Sequence, residues 1–328
     1  MSVTSGLKIV EQDEEGVDLA FRADVLTGLA QRQKAVPARW FYDLRGSELF
    51  EEITRLPEYY PTRTETALLR QHGADFLAMV GRGRVVVEFG SGSSVKTPLL
   101  LLQIDPAAYI PIDISGDFLR QSVEELAAKF PGLPVIPVEG DFMQAVALPS
   151  MSRDEVRLGF FPGSTIGNMI PRTAVDLLRS MRKTLGDNAQ LLIGFDRVKD
   201  VGRLIRAYDD AQGITAQFNL NLLARINREL GADLPIEAFR HHVRWDEDWS
   251  RIEMHLEAMG NIEFSVSGRR FSMSKGETIH TENSHKYTPE QAKLLLQAGG
   301  WISRQHWSDE GENFMLILAD ACEHRSAP

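Results

Sequence analysis

Val85-Val-Val-Glu-Phe-Gly-Ser-Gly-Ser-Ser94 decides the fold of this chain. Three β-branched residues and Phe89 make a short apolar run of the kind buried in a sheet, and it stops abruptly at Gly90-Ser91-Gly92. The segment that follows, Ser94-Val-Lys-Thr-Pro-Leu-Leu-Leu-Leu-Gln103, has helical apolar content. A glycine turn between strand and helix lets a ligand approach the backbone closely, because no Cβ atoms stand in the way. The dinucleotide fingerprint places a third glycine where this chain has Val95, which weakens a nicotinamide-cofactor reading without removing it.

Outward from this turn, strands and helices alternate. Tyr109-Ile-Pro-Ile-Asp113 predicts a strand followed by a helix through Leu126, and Pro134-Val-Ile-Pro-Val138 a strand ending at Gly140-Asp141-Phe142. Arg157-Leu-Gly-Phe-Phe161 predicts another strand, Pro171 to Leu185 a helix, and Gln190-Leu-Leu-Ile-Gly-Phe-Asp196 a further strand. This is the βαβ pattern of a doubly wound α/β sheet. The rhythm breaks after Asp196: Leu204 to Leu230 is mostly helical, and Phe264 to Phe271 has strand character around a Ser267-Gly268 turn. A helix from Tyr287 to Gly299 and a strand, Asn313-Phe-Met-Leu-Ile-Leu-Ala319, resume the pattern. The economical architecture is a Rossmann-like sheet interrupted by an inserted unit at roughly 197–286. Upstream, Asp24 to Arg32 and Thr64 to Phe76 predict helices, and the prolines of Leu56-Pro-Glu-Tyr-Tyr-Pro-Thr62 predict a loop or extended segment. The polar, acidic residues 1–19 are expected to form a loose arm.

Composition narrows the partners. A formal charge of -10 over 328 residues argues against a nucleic-acid ligand, whose phosphates need a basic face. The single cysteine, Cys322, excludes an internal disulfide and suits a reducing cytoplasm. No apolar leader and no long uncharged apolar run supports secretion or a membrane span. The eight histidines form no HxxxH or HxH pattern, and adjacent His241-His242 point in different directions, so no metal site is expected.

Ligands of open α/β sheets bind beyond the carboxyl ends of the strands. Three successive strand ends here carry Gly90 and Gly92, then Asp113, then Asp141-Phe142. The glycines leave room for a cofactor, Asp113 is placed to accept from two ribose hydroxyls, and Asp141 with Phe142 offers a carboxylate and a ring to a base. Lys96 could reach a cofactor carboxylate. The plain alternatives are helix caps for the two aspartates and a solvated charge for Lys96. At the next strand end, the loop Phe161-Pro-Gly-Ser-Thr-Ile-Gly-Asn168 presents a carboxamide. The insertion adds Ala207-Tyr-Asp-Asp-Ala, Arg251-Ile-Glu-Met-His-Leu256 and Thr281-Glu-Asn-Ser-His-Lys-Tyr287. If the last is extended, Glu282 and Ser284 share a face; if helical, Glu282 would sit beside Lys286, four residues on.

Glu88 at a strand end before Gly-x-Gly is the variant found in S-adenosylmethionine methyltransferases. Taken with Leu-Pro-Glu-Tyr-Tyr-Pro-Thr-Arg63, Gly-Ser-Thr-Ile-Gly-Asn168, Arg-Ala-Tyr-Asp-Asp-Ala211 and Arg-Ile-Glu-Met254, the chain resembles the histidine-specific, S-adenosylmethionine-dependent Nα-methyltransferases of ergothioneine biosynthesis, over nearly its whole length. The resemblance implies a Rossmann-like class I methyltransferase domain, 61–196 plus 287–328, and an α+β substrate domain, 20–60 plus 197–286. It implies S-adenosyl-L-methionine at Gly90, Lys96, Asp113, Asp141 and Phe142. It places histidine at Tyr59, Asn168, Tyr208 and the Glu282, Asn283, Ser284 stretch. In that family the Asn and the second Tyr hold the α-carboxylate, the Glu and Ser grip the imidazole, Met254 lies by the ring, and Tyr42 is near the amine. The expected activity is three methyl transfers to the α-amine of L-histidine, giving hercynine, by a cytoplasmic monomer with no membrane or nucleic-acid partner.

Methyl transfer from a sulfonium needs an unprotonated amine, correctly placed and desolvated. Tyr42 or Tyr59, or a water they hold, is the candidate proton route, although an ordinary tyrosine with a pKa of about 10 is a poor base. Competing expectations are a relative acting on another aromatic amino acid such as tryptophan, a non-catalytic sensor, and a nicotinamide dehydrogenase.

Overall fold

The computed structural model describes residues 16–92, 96–113, 116–149 and 155–322. Most of the expected arm, Val95 and the residues immediately after Asp113 lie outside them. The chain divides into two compact units, one made of residues up to Tyr60 and Lys199–His285, the other of Pro61–Val198 and Lys286 onward.

The second unit holds a seven-stranded sheet. Its order from one edge is Trp301–Ser308, Phe314–Ala321, Gln190–Asp196, Arg157–Phe161, Val85–Phe89, Ala108–Asp113, Val138–Glu139. Phe314–Ala321 runs antiparallel to both neighbours, and the five strands from Gln190–Asp196 onward run parallel. Every residue of Val85–Phe89 and of Gln190–Asp196 is buried, as a parallel sheet covered on both faces requires. Val85, Val87 and Phe89 face a core with helices Pro171–Leu185 and Pro289–Ala298, while Val86 packs on the other side with Leu68, Phe76 and Leu100. Val85–Phe89 is flanked by Ala108–Asp113 on one side and Arg157–Phe161 on the other, so strand order reverses beside the glycine turn.

The expected strand 134–138 contributes only an isolated bridge at Val135 and the short pair Val138–Glu139. Pro134 and Pro137 have no N–H to give the ladder. The helix expected from Tyr287 begins at Pro289, where Thr288 and Gln291 form a reciprocal capping box.

The first unit carries a four-stranded sheet, Lys34–Ala35, Thr278–His285, Arg251–Ala258, Phe239–Asp246, and a separate hairpin of Ile262–Val266 with Arg269–Met273. Ser267 and Gly268 both have positive φ at the hairpin turn, the backbone a two-residue connection demands. Helices Leu19–Leu29 and Ile214–Leu230 pack on one face of the sheet, where Ile252, Met254 and Leu256 meet Phe218 and Leu222. The first of these helices starts earlier than expected because the Asp18 carboxylate accepts from the amides of Ala20 and Phe21. The stretch 204–230 is two helices. Asp210 accepts from the amides of Gln212, Ile214 and Thr215, ending Val201–Tyr208 and starting Ile214–Leu230. Among the described residues, no helix is long and apolar enough to cross a membrane.

Candidate active site

Parallel pairing gathers the expected cofactor residues of the second unit. Phe89 lies beside Ile112, Gly90 N–H donates to Ile112 O at 2.8 Å, and Gly140 N–H donates to Asp113 O at 3.0 Å. The three strand ends therefore converge. Gly90 has φ +72°, and a Cβ there would lie 3.3 Å from the Phe142 ring; Gly92 has φ +42° and open space where its Cβ would be. The turn thus has both the backbone and the room that glycine alone supplies. Gly92 N–H points to Asp113 Oδ2 at 3.3 Å. Asp141 Oδ1 accepts from Met143 N–H at 2.9 Å, fixing a local turn that sets the Phe142 ring edge-on to Phe89 and Phe161.

Lys96 makes an ion pair with Glu65, which is fully buried and also accepts from Gly163 N–H at 3.0 and 2.9 Å. One of the three ammonium protons is thereby committed, and Glu65 ties the Tyr60–Gln71 helix to the loop after Arg157–Phe161. Sequence reading missed Glu65, since nothing distinguishes it from a solvated helix carboxylate. Asn168 ends a short 3₁₀ turn, Thr165–Asn168, after Ser164 in the left-handed region; the Ser164 hydroxyl accepts from Asp196 N–H at 2.8 Å.

Glu88 points to the opposite face from Phe89. Its buried carboxylate accepts from Thr97 Oγ1 at 2.6 Å and Tyr109 OH at 2.5 Å, and burial raises its pKa to about 7. Thr278–His285 is a strand, so the helical spacing that would set Glu282 beside a residue four positions on does not occur. Lys286 meets Asp196 at 2.8 Å, both of them buried.

The first unit collects most of the expected amino-acid contacts. Glu282 pairs across the ladder with Met254, and Ser284 with Ile252, so both stand on the face of Met254. Ser284 Oγ and Tyr208 OH are 2.6 Å apart. Tyr59 packs edge-to-face on Tyr208 and on Phe50, and Tyr42 edge-to-face on Phe50. Phe50 carried no sequence signal beyond its apolar helix position. Tyr42 is 44% exposed as a residue, yet desolvation around its hydroxyl, then the Glu282 charge and the hydroxyls of Tyr59 and Tyr208, raise its pKa well above 10. Asn283 pairs with Glu253 on the other face, and among the described residues its buried Oδ1 accepts no hydrogen bond.

On that other face Glu253, His255 and His280 bring potential ligand atoms within 4.8 Å of one another. Their lone pairs and protons are largely spoken for. His255 Nε2 donates to Glu253 at 3.0 Å, its Nδ1 accepts from Thr278 Oγ1 at 3.1 Å, and His280 Nε2 donates to Glu282 O at 3.0 Å. Arg244 and Arg251 already neutralise Glu253, so the cluster is a satisfied network to which a cation would add uncompensated charge.

A glycine turn at the switch point of this seven-stranded sheet, with an acid at the neighbouring strand end, forms the cofactor end of a Rossmann-like fold, and the family match makes it that of an S-adenosylmethionine-dependent class I methyltransferase. A family model described as "Histidine-specific methyltransferase, SAM-dependent" matches residues 21–321, and the chain belongs to that family. It is 42% identical over 307 residues to the histidine N-alpha-methyltransferase of Mycolicibacterium smegmatis, covering 92% of this chain and 94% of the relative. It is 41% identical over 312 residues to the enzyme of the same name from Mycobacterium tuberculosis, covering 93% and 96%. Ergothioneine biosynthesis protein 1 of Neurospora crassa is 28% identical over 339 residues, covering 96% of this chain and 37% of that protein.

Proposed function

We propose that this chain transfers three methyl groups to the α-amine of L-histidine, giving hercynine for ergothioneine biosynthesis. The observation that carries the substrate assignment is the shared face of Glu282 and Ser284 beside Tyr208. A neutral imidazole has one N–H donor and one acceptor nitrogen, and a carboxylate with a hydroxyl satisfies both. Asn168 and Tyr208 are each assigned to the α-carboxylate, Met254 to the ring, and Tyr59 and Tyr42 to the neighbourhood of the amine; because each hydroxyl has one proton, Tyr208 and Ser284 exchange their mutual hydrogen bond for those to the substrate.

S-adenosylmethionine, when bound, supplies an electrophilic methyl on a sulfonium sulfur. The open space at Gly92 and the half-buried Asp113 carboxylate fit that group, with Gly90, Asp141, Phe142 and the Glu65-anchored Lys96 holding it. Tyr42 keeps its proton well past neutrality, so it serves as a hydrogen-bond donor and the amine loses its proton by another route, Tyr59 or water. The faces of Tyr42, Phe50 and Tyr59 attract cations, which suits an amine that gains fixed charge as methyls accumulate. The unit carrying the glycine turn is assigned to the cofactor and the other to histidine. A cytoplasmic monomer is the proposed state: the single cysteine suits a reducing compartment, and size exclusion tests the monomer.

Mass spectrometry of histidine incubated with enzyme and S-adenosylmethionine tests the activity by counting added methyls; a preference for tryptophan or tyrosine would overturn the substrate. Glu282→Ala should raise the KM for histidine about 10- to 100-fold, from an unpaired imidazole, and leave cofactor affinity within about twofold. Equal losses in both would refute its role.

A further inference from the structure

The strand that carries Glu282 is out of register with simple alternation, and the irregularity determines where that carboxylate points. Ile279 pairs with Leu256 and His280 with His255, but Glu282 pairs with Met254, leaving Thr281 as an extra residue in a β-bulge. Without the bulge Glu282 would share a face with His280, away from Met254, because side chains alternate with a period of two. The bulge puts it on the face of Met254.

A buried polar relay holds that bulge. The single proton of Thr281 Oγ1 is shared in a three-centre hydrogen bond between Asn219 Oδ1 at 2.8 Å and Met254 O at 3.0 Å. Asn219 is fully buried on the Ile214–Leu230 helix. Its amide nitrogen donates to His255 O at 3.1 Å and to His241 Nδ1 at 2.8 Å. His241 Nε2 then donates to Tyr208 O at 2.8 Å. The proton assignments are mutually consistent. A carbonyl only accepts, so His241 carries its proton on Nε2 and accepts at Nδ1, and burial favours that neutral ring. Turning the Asn219 amide over would set its oxygen against His255 O and the His241 lone pair. Each hydrogen-bonding atom of Asn219 therefore has one orientation, and each branch ends on an element bearing an assigned histidine contact: Met254, Tyr208, or the strand of Glu282.

We propose that Asn219 and Thr281 are positioning residues that set substrate specificity by pinning the bulge, so that Glu282 faces the imidazole. This rests on the assignment of Glu282 to the imidazole made above. His280 braces the same point from the other side, by its Nε2 hydrogen bond to Glu282 O.

The test is a cycle of Thr281→Val, Glu282→Ala and the double variant, with Thr281→Ser as rescue, read by the KM for histidine and by calorimetric affinity for S-adenosylmethionine. Thr281→Val keeps the shape and removes the hydroxyl. It should raise the histidine KM about tenfold and leave cofactor affinity within about twofold; Thr281→Ser should recover most of the loss. Because Thr281 acts through Glu282, the double variant should be no worse than Glu282→Ala alone. Asn219→Ala should follow the Thr281→Val pattern, with the urea midpoint of each variant reporting whether it folds. A histidine KM within twofold of the parent in folded Thr281→Val, or a double variant whose loss is the product of the single losses, overturns the proposal. If instead Glu282→Ala leaves the histidine KM unchanged, the underlying substrate assignment is what fails.

Discussion

Replacing Glu88 with Gln should change how the stability of the glycine-turn unit depends on pH. The Glu88 carboxyl is 2% exposed, and burial lifts its pKa from an ordinary 4.5 to about 7 against the opposing hydrogen bonds from Thr97 and Tyr109. Below about pH 4.5 the group is protonated both folded and unfolded, and it contributes no pH dependence. Between pH 4.5 and 7 the folded chain keeps a proton that the unfolded chain has released, so stability falls as pH rises. Above 7 the cost is complete and constant. A shift of this size corresponds to about 3 kcal/mol. Glu88→Gln removes the titration but keeps an oxygen for Thr97 and Tyr109. Its new NH₂ adds a pH-independent offset, so the informative quantity is the difference between variant and parent. Urea unfolding at pH 5 and pH 8 at fixed ionic strength, with hydrogen exchange of the Val85–Phe89 amides as a local probe, should show the variant gaining roughly 2–3 kcal/mol on the parent between those pH values. An equal gap at both pH values would mean that Glu88 is ionised in the fold and would refute the reasoning.

Other consequences follow from buried charges and from the cofactor assignment. Lys286→Met takes the ammonium from the buried Asp196 carboxylate and should cost about 3–5 kcal/mol in urea unfolding, most of it recovered in Lys286→Met/Asp196→Leu; no loss would show the pair to be solvated. His255 is fully buried and its pKa is lowered to about 4, so the unfolded chain takes up a proton first and stability should fall by about 3 kcal/mol as pH drops from 6.5 to 4. His255→Gln should flatten that limb, and an unchanged slope would rule it out as the source. Asp113→Ala should weaken S-adenosylmethionine binding about 10- to 100-fold by calorimetry, the worth of hydrogen bonds to a charged acceptor; unchanged affinity would remove Asp113 from the cofactor site.

The sequence announces the two units unequally. Val85–Phe89, Arg157–Phe161, Gln190–Asp196 and Phe314–Ala321 are runs of apolar residues because both faces of that sheet are covered, and such runs stand out in a sequence. Trp301–Ser308 escaped notice because an edge strand can carry Arg304, Gln305 and His306 toward solvent. In the other sheet, Phe239–Asp246 and Arg251–Ala258 place Arg240, His242, Arg244, Glu253, His255 and Glu257 on one face, where Arg240 meets Glu257 and Arg244 meets Glu253. Those paired charges look like a polar loop until the partner strand is known. The residues proposed for the cofactor were legible for the same reason as their strands, since Gly90, Asp113 and Asp141 each sit at or just after the end of an apolar run. Alternation alone put Glu282 and Ser284 on one face, but not on which face. That depends on the bulge at Thr281 and on Asn219, sixty-two residues earlier, which no local pattern connects.

The sheet order also sets a schedule for synthesis. Gln190–Asp196 lies between Arg157–Phe161 and Phe314–Ala321, so one of its edges has no partner until the last strand leaves the ribosome about 120 residues later. At about 5–20 residues per second that is roughly 6–24 s during which a strand built to be wholly buried, apolar from Leu191 to Phe195, presents open backbone groups. Expression yield should therefore respond to translation speed and chaperone supply more than the stability of the finished protein would suggest, because the vulnerable interval is written into the order in which the strands appear.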